Sequence, residues 1–126
     1  MSPETTTVLG RRAEDSALDY LRAHGLELLT RNYRCRGGEI DLVMREQDVL
    51  VLVEVRSRTS SGYGSAAATV DGRKQSRIVH AARHLLRTRP ELARLKARFD
   101  VVALEPAADG SGVELRWIRD AFRTSG

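Results

Sequence analysis

The chain has 126 residues, 21 Lys and Arg against 17 Asp and Glu for a formal charge of +4, and a single cysteine. That length builds one domain with a core of its own and leaves no room for a second, while the lone Cys35 excludes an internal disulfide and any Cys-rich zinc or iron–sulfur site. No apolar run approaches the roughly 20 residues of a membrane span, and Met1 to Gly10 lacks the basic-then-apolar order of a signal peptide, so a cytosolic protein in a reducing compartment is expected.

Residues 1–7 are polar and read as a loose arm. From Val8 to His24 the apolar positions Leu9, Ala13, Ala17, Tyr20 and Leu21 recur at helical spacing, and Gly25 supplies the stop. Glu14 projects between Leu18 and Leu21 at the edge of this stripe, where a rim residue would pair with Arg11 or another nearby base. Glu27 to Arg34 reads as the first strand, with Gly37-Gly38 as its turn into the next, so that three strands meander in sequence.

The second and third strands carry the first chemical signal. Gly38-Glu39-Ile40-Asp41-Leu42-Val43-Met44 is followed by a short polar turn and then by Val49-Leu50-Val51-Leu52-Val53-Glu54-Val55-Arg56. With Gln47-Asp48 as a two-residue hairpin turn, Glu46 and Val49 close the pair and Asp41 falls opposite Glu54. Glu39 and Arg56 then share that face, with Val43, Leu50 and Leu52 further along it, and Ile40, Leu42, Val53 and Val55 go to the other. Opposed β-carbons lie about 5 Å apart, so two carboxylates there repel unless a cation or a shared proton sits between them. Two readings are open: solvated acids on an open sheet face, or a site for a divalent ion. Oxygen ligands alone suit Mg²⁺ or Mn²⁺ rather than zinc.

Thr59 to Gly72 is rich in Ser, Gly and Ala without periodicity and reads as a mobile loop, with Tyr63 in it. Arg73 to Arg87 is a second amphipathic helix, with Ile78, Val79, Ala82, Leu85 and Leu86 inward and Lys74 on the inward side one turn before Ile78. The stem of Lys74 either packs on Ile78 with its ammonium in solvent or carries the charge to an inner pocket. His80 and His84 are spaced as metal ligands can be, but they fall opposite the apolar stripe and no Glu follows His80, which argues against a zinc peptidase. Nine of the cations lie between Arg73 and Arg98, opposed there only by Glu91. Arg73, Lys74, Arg77, Arg83 and Arg87 on the helix are the candidate phosphate-binding side chains, although such a run is often simply a solvated face. Pro90 breaks the helix, Glu91 to Arg98 suggests a short further one, Phe99 to Glu105 is an apolar strand, and Val113 to Ile118 a last one before a tail that frays from residue 119. The order α-β-β-β-α-β(-β) predicts an α/β domain with a mixed sheet flanked by helices.

An Asp, then Glu-x-basic on a strand pair, resembles the PD-(D/E)xK nuclease core. Within that superfamily Gly38-Glu39-Ile40-Asp41-Leu42-Val43, Val53-Glu54-Val55-Arg56 and Phe99-Asp100-Val101-Val102 closely resemble the YraN family, whose members look like Holliday-junction resolvases. The likeness runs from about Gly10 to Leu104. It implies a restriction-endonuclease-like core and a Mg²⁺- or Mn²⁺-dependent endonuclease acting on DNA, with branched forms as the favoured substrate and a homodimer matching the two-fold symmetry of a junction. Asp41, Glu54 and the main-chain carbonyl of Val55 are the implied metal ligands. Arg56 stands where the motif has Lys. Glu14 matches an acidic residue that such nucleases carry on the first helix, Glu39 lies beside the site, and a Lys occurs in YraN-like sequences where Lys74 stands. A binding protein with the same fold and an inactive site is the alternative, because Arg56 replaces the motif lysine.

Overall fold

A computed structural model describes residues 6–57 and 70–124, with side chains from residue 12 onward. Helix α1 (Thr6–Ala23) leads into strands β1 (Glu27–Cys35), β2 (Gly38–Glu46) and β3 (Val49–Ser57). Helix α2 (Gly72–Thr88) and a 3₁₀ turn (Pro90–Arg94) precede β4 (Lys96–Pro106) and β5 (Val113–Phe122). The five strands form one sheet in the order β1-β2-β3-β4-β5, with β3 and β4 parallel and the other neighbours antiparallel. The expected mixed α/β order is therefore the observed one. Among the described residues no helix is long and apolar enough to cross a membrane.

Each helix ends for a local reason. Gly25 takes φ 95°, donates its N–H to the Arg22 carbonyl, and leaves the Leu26 N–H to reach back to Leu21. This is a Schellman stop, closed by two leucines that are both buried. Asp71 caps α2, accepting the Lys74 N–H at 3.0 Å on its carboxylate. Pro90 ends the α-helical run and opens a 3₁₀ turn, after which β4 starts at Lys96. The second short helix expected over 91–98 is thus confined to Pro90–Arg94, because parallel pairing of Lys96, Ala97 and Arg98 with Val49, Leu50 and Val51 draws those residues into the sheet.

The sheet separates two apolar layers. On one face Ala17, Leu18 and Leu21 of α1 cover Leu42, Met44, Val51, Val53 and Val102. On the other Ile78, Ala81, Ala82 and Leu85 of α2 cover Ile40, Val43, Leu50, Leu52, Phe99, Val101 and Ala103. β5 continues to Phe122, past the expected end at Ile118, because Phe99 pairs with Phe122 and their rings stack 4.9 Å apart. The expected loose N-terminal residues, the loop with Tyr63, and the end of the tail fall largely on residues 1–5, 58–69 and 125–126, outside the described residues, while Thr6 and Thr7 belong to α1 and Gly72 to α2 rather than to the arm and the loop.

Candidate active site

The β2–β3 ladder has the expected register, from Glu46 with Val49 to Leu42 with Val53. At its far end strand alternation breaks. Ile40 packs with the α2 layer while Leu42, two residues on, packs with the α1 layer. Regular strand residues two apart share a face, so the chain is rotated at Asp41. Opposite this point Asn32 of β1 holds φ 53°. Beyond the last paired residues, the Val55 N–H donates to Asp41 Oδ2 at 2.8 Å, so a side chain supplies the acceptor for that backbone donor.

The break corrects one expectation. Gly38 and Ile40 both face α2, as shown by the packing of Ile40 and by the Arg77 carbonyl and Ala81 beside Gly38. Glu39 between them therefore faces the other way and pairs with Arg34 at 3.4 Å, not with Arg56. Ile40 likewise lies with Leu52 and not with Leu42. A uniform alternation through Asp41, assumed in reading the strand, is what fails.

Glu54 is 3% exposed on the α2 face. Lys74 reaches down from α2 to place Nζ 3.2 Å from its Oε2, and Arg56 Nη1 lies 3.7 Å from the same oxygen. Asp41 faces Glu54, and burial together with the Glu54 charge pushes its carboxyl up to about 7. Two carboxyls so placed favour a proton on one of them when no cation lies between. Glu14 approaches from α1: burial and then the Asp41 charge raise its carboxyl above the ordinary value, against hydrogen bonds from Asn32 and Arg31. Its ion-pair partner is Arg31, at 3.4 Å. Glu14, Asp41, Glu54, Lys74 and Arg56 thus gather at one end of the sheet, reached by both helices.

Beside Glu54 a recess of about 200 Å³ is lined by Arg56, Asp71, Arg73, Lys74 and Arg77. Arg83 and Arg87 lie further along α2 and do not line it. His80 and His84 reach β1 and its turn, His80 from an exposed position: His80 Nε2 contacts the Arg36 carbonyl at 2.9 Å, and His84 Nδ1 is bonded to the Tyr33 hydroxyl. The hydroxyl and carbonyl groups of β1 and its turn draw them there. Periodicity does not single out Asn32 or Asp71. Their signals are an Asn in a strand, a residue type that tolerates left-handed φ, and an Asp immediately before a helical pattern.

The residues present fit a hard divalent ion. The donor set is oxygen only, the Asp41 and Glu54 carboxyls face each other with Lys74 and Arg56 on the Glu54 side, and the Val55 backbone is fixed beside them. Among the described residues no group of three or more His, Cys, Asp and Glu side chains is placed to hold a metal ion, so protein ligands would be limited to the Asp41–Glu54 pair and main-chain oxygen. That suits Mg²⁺, which is commonly held by one or two carboxylates with water and phosphate completing its shell.

Residues 13–104 match the family described as "Uncharacterised protein family UPF0102". A UPF0102 protein of Pseudomonas entomophila is 47% identical over 97% of this chain and 98% of its own length. Another, from Cupriavidus taiwanensis, is 56% identical over 90% of this chain and 81% of its own. The match takes in α1 from residue 13 on, β1, both carboxylate strands, α2 and β4 as far as Leu104, and on these grounds the chain belongs to UPF0102, the YraN family.

Proposed function

We propose that this protein is a metal-dependent DNA endonuclease that hydrolyses phosphodiester bonds in branched or structured DNA. The observation that carries the reading is the Asp41–Glu54 pair, a half-buried and a buried acid that face each other from adjacent strands beside a cationic recess. Solvated surface acids would have no reason to be pressed together in this way.

Mg²⁺ or Mn²⁺ held by Asp41, Glu54 and the Val55 carbonyl would activate water and neutralise charge on the phosphate. The chain's own groups do the rest. The Val55 N–H fixes one Asp41 oxygen and so orients the carboxylate. Lys74 neutralises Glu54 while the site holds no ion, and its flexible stem lets the ammonium move to a phosphate oxygen. Arg56 stays charged and accepts no proton, but its planar fork can clamp a phosphate. Arg73 and Arg77 extend that positive surface along α2. Glu14 completes the acidic end from α1.

The test is cleavage of a labelled four-way junction by wild-type protein and Asp41→Asn, with and without Mg²⁺ or Mn²⁺. Wild type should cleave only with metal, and Asp41→Asn should fall to background while binding DNA as well or better, since the lost charge repels phosphate. Binding without any cleavage would favour the second reading, a nucleic-acid-binding protein with an inactive site, for which Arg56 in place of lysine is the specific support. A homodimer matching junction symmetry belongs to the same proposal; sedimentation velocity showing only monomer, with and without DNA, removes it.

A further inference from the structure

Helix α2 has two polar flanks, and only one of them serves the carboxylates. Arg73, Lys74 and Arg77 border the recess beside Glu54. Across the helix, between α2 and the end of β5, runs a second groove of about 460 Å³ lined by Gln75, Ser76, Arg83, Phe122, Arg123 and others. At about 100° per residue, Ser76 and Arg83 project nearly opposite Lys74. Both hollows border the first turn of the helix, with Asp71 and Arg73 lining one and Gly72 the other.

The second groove has the chemistry of a polynucleotide track. Among the described residues no acidic side chain lines it. Arg123 is bonded to Asp120 through Nε at 3.0 Å and Nη2 at 2.6 Å, but in an exposed pair of this kind the guanidinium is readily exchanged to another anion. Gln75 donates to the Val70 carbonyl and His80 is held at the Arg36 carbonyl, which leaves Ser76, Arg83 and Arg123 to face a backbone. Phe122 is partly buried there and offers its ring to an unstacked base, a contact single strands use and intact duplexes do not.

We infer that this groove takes a second DNA strand diverging from the one in the cationic recess beside Glu54, so that the first turn of α2 divides the two arms of a fork. A helix with its side chains is about 10 Å across, which sets the separation of the two tracks. The inference rests on the proposed function for the identity of the first strand. It assigns Arg83 and Arg123 to the second and makes the substrate a branch point with an unpaired arm.

Fluorescence anisotropy on the metal-free full-length chain, in chelator, tests it with three probes: a fork with two non-complementary arms, one of its single strands, and a linear duplex of the same sequence. The fork should bind about tenfold tighter than either of the others, and the Arg83→Ala/Arg123→Ala double variant should lose that preference. The log–log salt slope for the fork should fall by about 1.4, the value for two single-strand phosphate contacts. Arg22→Ala, which removes a like charge from α1, should keep the preference. Equal affinity for fork and duplex, retention of fork preference by the double variant, or no DNA binding at all would each overturn the inference. Intact fork preference without cleavage sinks the nuclease reading alone.

Discussion

Two of the carboxylate sites in the sheet are built in opposite ways. Asp100, on the α1 face of β4, is fully buried and saturated with donors. Arg98 gives it two bonds at 2.9 and 3.0 Å, the Trp117 indole one at 2.9 Å, and the Asp120 backbone N–H another at 2.9 Å. Arg98 is itself tied to Glu46 at 3.1 Å. Asp41, by contrast, has one backbone donor and faces a second acid, with Lys74 reaching only that acid's oxygen. Burial alone therefore marks neither a site nor a scaffold; the balance of donors does. A saturated carboxylate is a clamp, here pinning β5 at the register shift between Phe99 and Val101, where Asp120 adopts φ 52°. An undersupplied pair leaves a place for an ion.

Breaking the clamp should have the largest effect on stability. Asp100→Ala strands the Trp117 and Asp120 N–H groups and leaves Arg98 with Glu46 alone, a loss of about 3 to 5 kcal/mol. Urea unfolding measures it, and a loss below about 1 kcal/mol would mean the network is not a structural clamp. Gly38→Ala should come next. An added Cβ at Gly38 would sit 2.2 Å from the Arg77 carbonyl, and backbone cannot yield as a side chain can, so α2 must lift. A cost of about 2 to 3 kcal/mol is expected, with weakened DNA binding through displacement of Lys74 and Arg77. An alanine variant of wild-type stability would show that the helix does not approach so closely.

Asp41→Asn should act in the opposite direction. The raised carboxyl means that the folded chain holds a proton which the unfolded chain, with an ordinary value of 3.8, has released. The stability due to this group is complete below that value and is lost as pH rises towards about 7. Asparagine keeps an oxygen for the Val55 N–H and removes the repulsion. At pH 8 in chelator the variant should be more stable by on the order of 2 kcal/mol, with the advantage shrinking towards pH 4. Parallel thermal melts across that range decide the matter: a difference that is flat with pH, or an asparagine variant less stable throughout, contradicts the shared proton.

Much of the fold and part of the site are legible in the chain, for physical reasons. Alternation and a two-residue turn specify a hairpin register, so the pairing of β2 with β3 can be read from Glu46 to Leu42. Helical spacing puts Lys74 on the inner side of α2. The rotation at Asp41 cannot be read. It depends on Asn32 of the neighbouring strand and on a side chain accepting a backbone N–H, neither of which periodicity encodes, and for that reason alternation places Glu39 on the wrong face. The Asp100 clamp is equally hidden, since its donors come from Arg98 beside it and from Trp117 and Asp120 a strand away. Local pattern sees one strand at a time, whereas donor balance is a property of several.

The smallest expected change in stability concerns the one lysine at the site. The Lys74 side chain is 32% exposed, so removing its pair with Glu54 should cost no more than about 1 kcal/mol, as solvent screens the charge and Arg56 stays 3.7 Å from the same oxygen. Its effect on cleavage should be larger than its effect on folding. If Lys74 supplies the movable cation that Arg56 replaces poorly, Lys74→Ala should lower the metal-dependent rate by more than about tenfold, or roughly 1.4 kcal/mol in the barrier, whereas Arg56→Lys should change it little. The reverse outcome, strong activation by Arg56→Lys with Lys74→Ala unchanged, would make the lysine an accessory and the natural protein a weakened nuclease. Measuring both variants for stability and cleavage separates the roles, because a lysine that merely neutralises a buried acid moves the first quantity and not the second.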